Sequence, residues 1–426
     1  MKRILGLFLS ITIMFSSAMP IYAQETDETR IKKVETLIDE MLKEDGPENG
    51  SLWNKENTTA FKWSYINGCM VSAMLDLYEV KGDEKYRSFA DSYMSPFIST
   101  TNNSTKGYIA ADNFKFSNYT LDDLNNGKAL IELVALNSSN STKYKKALTE
   151  TLYTDILQYE LQNQKTAEGN LWHKKAYPYQ TWLDGIYMET PFWLEYELNI
   201  ADNQSSFINA SNNVTIQIEN VYSKLRDSST GLYYHGYDCS REAFWCDKVT
   251  GCSRNFWIRA LGWYAMSLID TVSVMPESMH EEKAKLSAIY KELIDSMLKY
   301  QTENGMWYQV VNLGGIPGNY LETSGSSIFA YAIMKSVRMG ILDESYFQYG
   351  EKAFNGVCEK YLSEKDGELQ LDGICLVAGL GPQDNKRRDG TFGYYMSEPI
   401  VSNDAKGVGP LVLAYIEILY KEKAGK

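Results

Sequence analysis

The chain has 426 residues, a formal net charge of −13, and 44% hydrophobic against 23% charged residues. That length supports a sizeable core, arranged as two or three average domains or as one large helical barrel. The acidic balance argues against nucleic-acid binding, which needs clustered Lys and Arg to neutralise phosphates, and any anionic ligand would need a local basic group to overcome the background.

Met1-Lys2-Arg3, an apolar run from Ile4 to Phe15 and a small-residue exit ending in Ile21-Tyr22-Ala23 have the pattern of a secretory signal peptide over 1–23. The mature chain, 24–426, is therefore expected to be secreted or periplasmic. No later stretch is apolar for long enough to cross a membrane. Six cysteines stand at 69, 239, 246, 252, 358 and 375. Cys239, Cys246 and Cys252 share one loop with no fourth ligand at zinc spacing, so a loop disulfide or buried thiols are expected there, with no metal and no cofactor.

Apolar spacing then predicts about twelve helices of two kinds. Amphipathic helices, with an i, i+3, i+4, i+7 stripe, are expected near 27–45, 84–98, 141–161, 204–227, 279–303 and 343–361. Helices apolar nearly all round are expected at 62–80, 122–136, 183–198, 257–272, 324–338 and 406–419. The kinds alternate, outer then inner, and six such pairs close into a double ring, which makes the fold all-α, a single (α/α)6 barrel. A helical solenoid also fits the alternation, though its repeats are usually shorter and more uniform. Short strands are expected only in connecting loops, for instance at 231–237 and 306–311.

The unusual residues fall where the inner helices begin: Trp63-Ser64-Tyr65, Leu121-Asp122-Asp123, Trp182-Leu183-Asp184, Trp257-Ile258-Arg259, Glu322-Thr323-Ser324 and Val401-Ser402-Asn403-Asp404. Parallel inner helices would open all six N-termini on one end, making an aromatic-lined pocket. Asp184, crowded by Trp182, Leu183 and Tyr187, is expected to be driven toward its protonated form and to donate a proton. Thr120-Leu121-Asp122-Asp123 resembles a capping box that ties up Asp123 and leaves Asp122 ionised. Two carboxylates with opposed settings are what acid/base assignments rest on. His173 and His235 stand in aromatic loop motifs and His280 in an ordinary surface helix. Arg259, in the apolar run Trp257 to Trp263, must find an anion, either an internal carboxylate or that of a substrate. Thirty-one tyrosines and nine tryptophans exceed the needs of a core and suit the apolar faces of sugars.

These motifs, with Trp172-His173-Lys174, Trp182-Leu183-Asp184-Gly185-Ile186-Tyr187-Met188, Tyr234-His235-Gly236-Tyr237-Asp238, Trp257-Ile258-Arg259-Ala260-Leu261-Gly262-Trp263 and Tyr394-Tyr395-Met396-Ser397-Glu398-Pro399, are carried in order over nearly the whole chain. The chain thus resembles the unsaturated rhamnogalacturonyl hydrolases of glycoside hydrolase family 105, relatives of the unsaturated glucuronyl hydrolases of family 88. The resemblance implies an (α/α)6 barrel that hydrates the C4=C5 bond of a Δ4,5-unsaturated uronic acid at the non-reducing end of a lyase product, releasing the neighbouring sugar. It implies Asp184 as general acid/base and Asp122 as the second acidic residue, with Tyr65, His173, His235, Trp257, Arg259 and Trp263 lining the unsaturated sugar. The expected partner is therefore an unsaturated oligosaccharide, first of all galacturonyl-rhamnose from pectin. A glucuronyl hydrolase acting on glycosaminoglycan or ulvan fragments, and a non-catalytic sugar-binding protein, remain the alternatives. The Cys239 to Cys252 loop is longer than is usual in this family, and it is expected to alter the aglycone side.

Overall fold

The computed structural model describes residues 27–425 apart from Asp45 and Asp202. The signal peptide expected at 1–23 lies outside the described residues. Six largely apolar helices form an inner ring: α2 (Tyr65–Lys81), α4 (Asn125–Ala135), α6 (Leu183–Tyr196), α8 (Ile258–Val274), α10 (Thr323–Arg338) and α13 (Ala405–Ala424). Each packs on the next, and α13 returns to α2, so the ring is closed. Around it stand α1 (Asp27–Met41), α3 (Glu84–Met94), α5 (Ser141–Lys146, continued as a wide helix over Ala147–Leu161), α7 (Gln204–Leu225), α9 (His280–Leu298) and α11 (Phe347–Tyr361). A short helix, α12 (Phe392–Ser397), precedes the last inner one. The expected (α/α)6 barrel is present, and the alternation of the two helix kinds is what closes it.

The helix ends follow from local chemistry. Ser64 caps α2 in a capping box with Asn67, and Gly82, at φ 70°, ends the helix. Asn203 caps α7, Glu322 caps α10 and Asp404 caps α13 through side-chain acceptors. Thr120 accepts from the Asp122 amide and starts a 3-10 turn, Leu121–Leu124, that leads into α4. The capping box expected there is incomplete: Asp123 is buried, and its carboxyl is pushed well above the usual range by burial and by the neighbouring Asp122. It is not an ionised cap.

Strands are short and confined to connections. They are β1 (Ile98–Asn103) with β2 (Gly107–Ile109), β3 (Gln180–Trp182) with β4 (Gly236–Asp238), β5 (Leu362–Lys365) with β6 (Glu368–Leu371), and β7 (Ile374–Cys375) with β8 (Ile400–Val401), all antiparallel. Only the end of the 231–237 expectation became a strand. At 306–311 there are isolated bridges, Trp257 to Val310 and Tyr308 to Leu321. Among the described residues no helix is long and apolar enough to cross a membrane.

Two of these connections build the functional end. The β3–β4 pair sets Trp182 opposite Gly236, which brings the start of α6 beside the loop that carries His235. The second is the segment after β7. Arg259 donates to the carbonyls of Cys375 and Leu376, while Glu322 accepts from the Cys375 amide, so β7 is clamped over the starts of α8 and α10.

Candidate active site

A cavity of about 300 Å³ opens at the N-terminal end of the inner ring. Its walls are the segment from Lys62 to Tyr65, the stretch from Asn113 to Asp123, the motif from His173 to Asp184, and Val377, Ala378 and Arg388. It therefore covers the α2, α4 and α6 half of the ring. The even six-helix pocket expected from the helix starts is not formed among the described residues: the starts of α8, α10 and α13 do not line the cavity, and Val377 and Ala378 from the segment after β7 do.

Asp184 sits in the first turn of α6, half-buried on the cavity wall. Its Oδ2 is 3.1 Å from Nε2 of His235, a fully buried ring. The approach is too oblique for a hydrogen bond, and each of these two atoms is enclosed without a hydrogen-bond partner among the described residues. On its far side the ring meets the Tyr395 hydroxyl through Nδ1 at 2.8 Å. Burial pushes that hydroxyl well above its usual range, so it keeps its proton. The Tyr395 hydroxyl and Nδ1 thus share one hydrogen bond, and Nε2 on the other side of the ring faces the Asp184 carboxyl.

Asp122 has the opposite company. Lys174 Nζ lies 3.2 Å from its Oδ2 and His173 Nε2 3.9 Å from its Oδ1. Burial opposes ionisation, but the Lys174 charge, with smaller help from His173 and the Thr120 hydroxyl, holds the carboxyl below the usual range. His173 is itself pushed down to about 4 by burial, so it is neutral near pH 7 and Lys174 supplies the positive charge. The His173 ring stacks on Trp182 at 4.5 Å and lies parallel to Tyr177, making one apolar wall. Backbone bonds lock the wall to Asp122: the Leu121 amide donates to the His173 carbonyl, and the His173 amide to the Gln180 carbonyl.

Gly185 is part of this geometry. A methyl group there would lie 2.6 Å from His173 Nδ1 and 2.7 Å from Leu121 Cδ1. The residue after Asp184 must therefore lack a side chain for the three motifs to meet.

Of the residues expected from sequence, Asp184, Asp122, Tyr65 and His173 face the cavity. His235 reaches Asp184 from behind. Trp257, Arg259 and Trp263 stand a layer deeper. Trp257 packs on His235 and Tyr395 and bonds Gln309. Trp263 stacks on Tyr187 at 5.1 Å and meets Tyr65 edge-on, closing the floor. Arg259 corrects an expectation: only 1% exposed, it donates to Ser324 and to two backbone carbonyls and lies 4.7 Å over the Trp257 ring. Glu322 makes no direct hydrogen bond to it and is joined to it through Ser324 and the Cys375 backbone, while its charge favours the guanidinium.

Three features escaped sequence reading. Lys174 was visible beside His173, but its pairing with Asp122 depends on the bridge between Thr120 and Lys174. Tyr395 and Arg388 arrive from the far end of the chain, the latter in a loop without periodicity. The 239–252 loop packs Ala243, Trp245 and Cys246 against Tyr177, Trp182 and Leu380, so it braces the aromatic wall from outside. Cys239, Cys246 and Cys252 form no disulfide; the thiols of Cys246 and Cys252 donate to backbone carbonyls.

The profile described as Glycosyl Hydrolase Family 88 matches residues 37–421. A family 105 glycoside hydrolase of C. acetobutylicum ATCC 824 shares 36% identity, covering 91% of this chain and 98% of that one, with a TM-score of 0.76. The 24.9 kDa protein in the picA locus of Rhizobium radiobacter is 42% identical over 194 residues, 44% of this chain and 82% of its own length. An unsaturated glucuronyl hydrolase of Bacillus sp. GL1, responsible for the degradation of glycosaminoglycan, shares the fold, with a TM-score of 0.59 over 93% of this chain and 95% of its own at 16% identity.

Proposed function

Because the chain belongs to Glycosyl Hydrolase Family 88 and is a glycoside hydrolase of the unsaturated-glycosyl class, we propose that it hydrates the C4=C5 bond of a Δ4,5-unsaturated uronic acid at the non-reducing end of lyase-generated oligosaccharides, unsaturated galacturonyl-rhamnose first among them. The observation that carries this reading is the pairing of two carboxylates in one cavity with different partners. Asp122 is kept ionised by Lys174, while Asp184 faces Nε2 of a fully buried histidine.

In this reading Asp184 protonates C4, and a water it then deprotonates adds at C5. One water is consumed: a C4–H and a C5–OH bond form, and the carbon–carbon double bond is lost. The resulting hemiketal opens at the ring C5–O bond, and the hemiacetal left at C1 expels the neighbouring sugar. Asp122 accepts hydrogen bonds from the ring hydroxyls, and His173 with Trp182 and Tyr177 covers the sugar's apolar face. Nothing is displaced at the anomeric carbon, so no paired-carboxylate spacing of the ordinary glycosidase kind is required. The leader-like segment at 1–23 supports export of the enzyme to where polysaccharide lyases work.

The test follows the ultraviolet absorbance of the conjugated enol ether in unsaturated galacturonyl-rhamnose, with Asp184→Asn in parallel. Loss of absorbance with the wild type alone supports the reading. Unchanged absorbance here and on unsaturated glycosaminoglycan and ulvan fragments would leave a sugar-binding protein.

A further inference from the structure

The proposed substrate is an anion and the chain carries a net charge of −13, so a cation on the cavity wall must meet the uronate. Arg259 is excluded by its burial and by the carbonyls that occupy it. Four other cations line the cavity: Lys62, Lys115, Lys174 and Arg388. Lys174 is committed to Asp122 at 3.2 Å. Lys62 and Lys115 are single-point donors on flexible stems, and Lys115 is exposed at the rim.

Arg388 differs from these. Its Nε is buried with no hydrogen-bond partner among the described residues, and its guanidinium forms no ion pair among them. Of the acids near it in sequence, Glu398 binds Arg387 at 2.9 Å, Asp389 accepts from the Thr391 amide and hydroxyl, and Asp384 is exposed and forms no ion pair among the described residues. The side chain reaches the same gap as the edge of Trp182. The position that a methyl group of Gly379 would take is 3.1 Å from Arg388 Nη1 and 3.3 Å from Trp182 Cζ3, so the two side chains share the space that Gly379 leaves open. Trp182, Asp184 and Arg388 all line the one cavity.

The loop that presents Arg388 is held on both sides. Gly381 N donates to the Arg388 carbonyl at 2.8 Å, Gly379 N to the Tyr394 hydroxyl at 2.9 Å, and Asn255 to the Gly390 carbonyl at 2.7 Å. The guanidinium that this loop presents offers a planar fork matched to a carboxylate. The carboxylate of an unsaturated uronic acid is attached to C5 and is coplanar with the reacting double bond, so gripping it also fixes where C4 points.

We propose that Arg388 binds the uronate carboxylate and selects for the free acid, an assignment that rests on the reading of the cavity as an unsaturated uronyl hydrolase site. The experiment compares unsaturated galacturonyl-rhamnose as the free acid with its methyl ester, on wild type, Arg388→Gln and Arg388→Lys. The wild type is expected to prefer the acid in kcat/KM. Arg388→Gln should lose on the order of tenfold to a hundredfold on the acid, mainly through KM, and little on the ester, so the preference collapses. Arg388→Lys should restore part of it, which a merely structural role would not do. An unchanged acid-to-ester ratio in Arg388→Gln overturns the assignment. If the wild type turns over neither compound, the hydrolase reading fails separately. Calorimetric binding of the unsaturated uronic acid then decides: binding by wild type and not by Arg388→Gln supports the carboxylate site, and equal binding or none rejects it.

Discussion

His235 Nε2 and Asp184 Oδ2 stand 3.1 Å apart without a hydrogen bond between them. The two residues are brought together by the β3–β4 pair and the Leu183 amide, which donates to the His235 carbonyl. In the proposed mechanism this places the histidine where it can stabilise the carboxylate that forms when Asp184 gives up its proton.

Asp184→Asn should therefore abolish turnover, with a loss on the order of a thousandfold or more. His235→Gln should lower kcat by ~10- to 100-fold with little change in KM, because the ring touches the acid and not the cavity. Enol-ether absorbance read over a substrate series separates the two parameters. A His235→Gln enzyme altered only in KM would show that the ring binds sugar instead.

Asp122 gives a pH prediction with a defined sign. Its folded carboxyl is held below the unfolded value of 3.8, chiefly because Lys174 overcomes burial. The ionised form is thus present above the unfolded value and is lost only as pH falls through the lowered folded value. The acid limb of kcat/KM assigned to Asp122 should consequently lie below about pH 4. Lys174→Met removes the largest compensating charge and leaves burial opposed only by His173 and the Thr120 hydroxyl, so that limb should move to higher pH. A limb that stays in place in Lys174→Met would mean that another group titrates there.

How much of this was legible beforehand depends on where the interactions are made. The double ring was readable because burial all round a helix and burial on one stripe leave different patterns, and those patterns alternate. Asp184 and Asp122 were readable because each lies in a dense local motif at a helix start. Arg259 was read correctly as a charge needing a partner, but that partner is a pair of backbone carbonyls, which no side-chain pattern announces. Arg388 belongs to an aperiodic loop more than two hundred residues beyond Asp184, and only the clamped β7 segment brings it to the same wall.

Gly185 tests whether the motifs must meet as closely as they do. A methyl group 2.6 Å from His173 and 2.7 Å from Leu121 has to push the stacked imidazole off Trp182. Gly185→Ala should cost ~1–3 kcal/mol by overpacking, offset a little by the better helix propensity of alanine. It should also lower kcat/KM, since His173 and Asp122 shift together. Thermal melting and the absorbance assay read the two effects. A variant with wild-type activity would show that the wall yields without moving Asp122.

Beneath the floor made by Tyr187 and Trp263, a second cavity of about 280 Å³ is lined by all six inner helices. Asp76, Glu132, Glu195 and Asp270 face it, with Lys128 and Lys335. Lys335 is taken by Asp270 at 2.8 Å, and Lys128 Nζ lies 3.5 Å from the Tyr187 ring centroid. Burial pushes the Asp76 carboxyl up to about 7, with Lys335 opposing and Asp270 adding to the rise. A carboxyl raised above its unfolded value imposes no cost below that value and destabilises the fold as pH rises through the folded value. Asp76→Asn should therefore change the melting temperature little at low pH and raise it above wild type near pH 8, where the wild-type carboxylate must ionise inside the bore. Melting curves of both proteins across that range give the answer. A lower melting temperature for Asp76→Asn at pH 8 would show the carboxylate ionised and stabilised by Lys335, which would make this polar layer a support of the barrel instead of a strain on it.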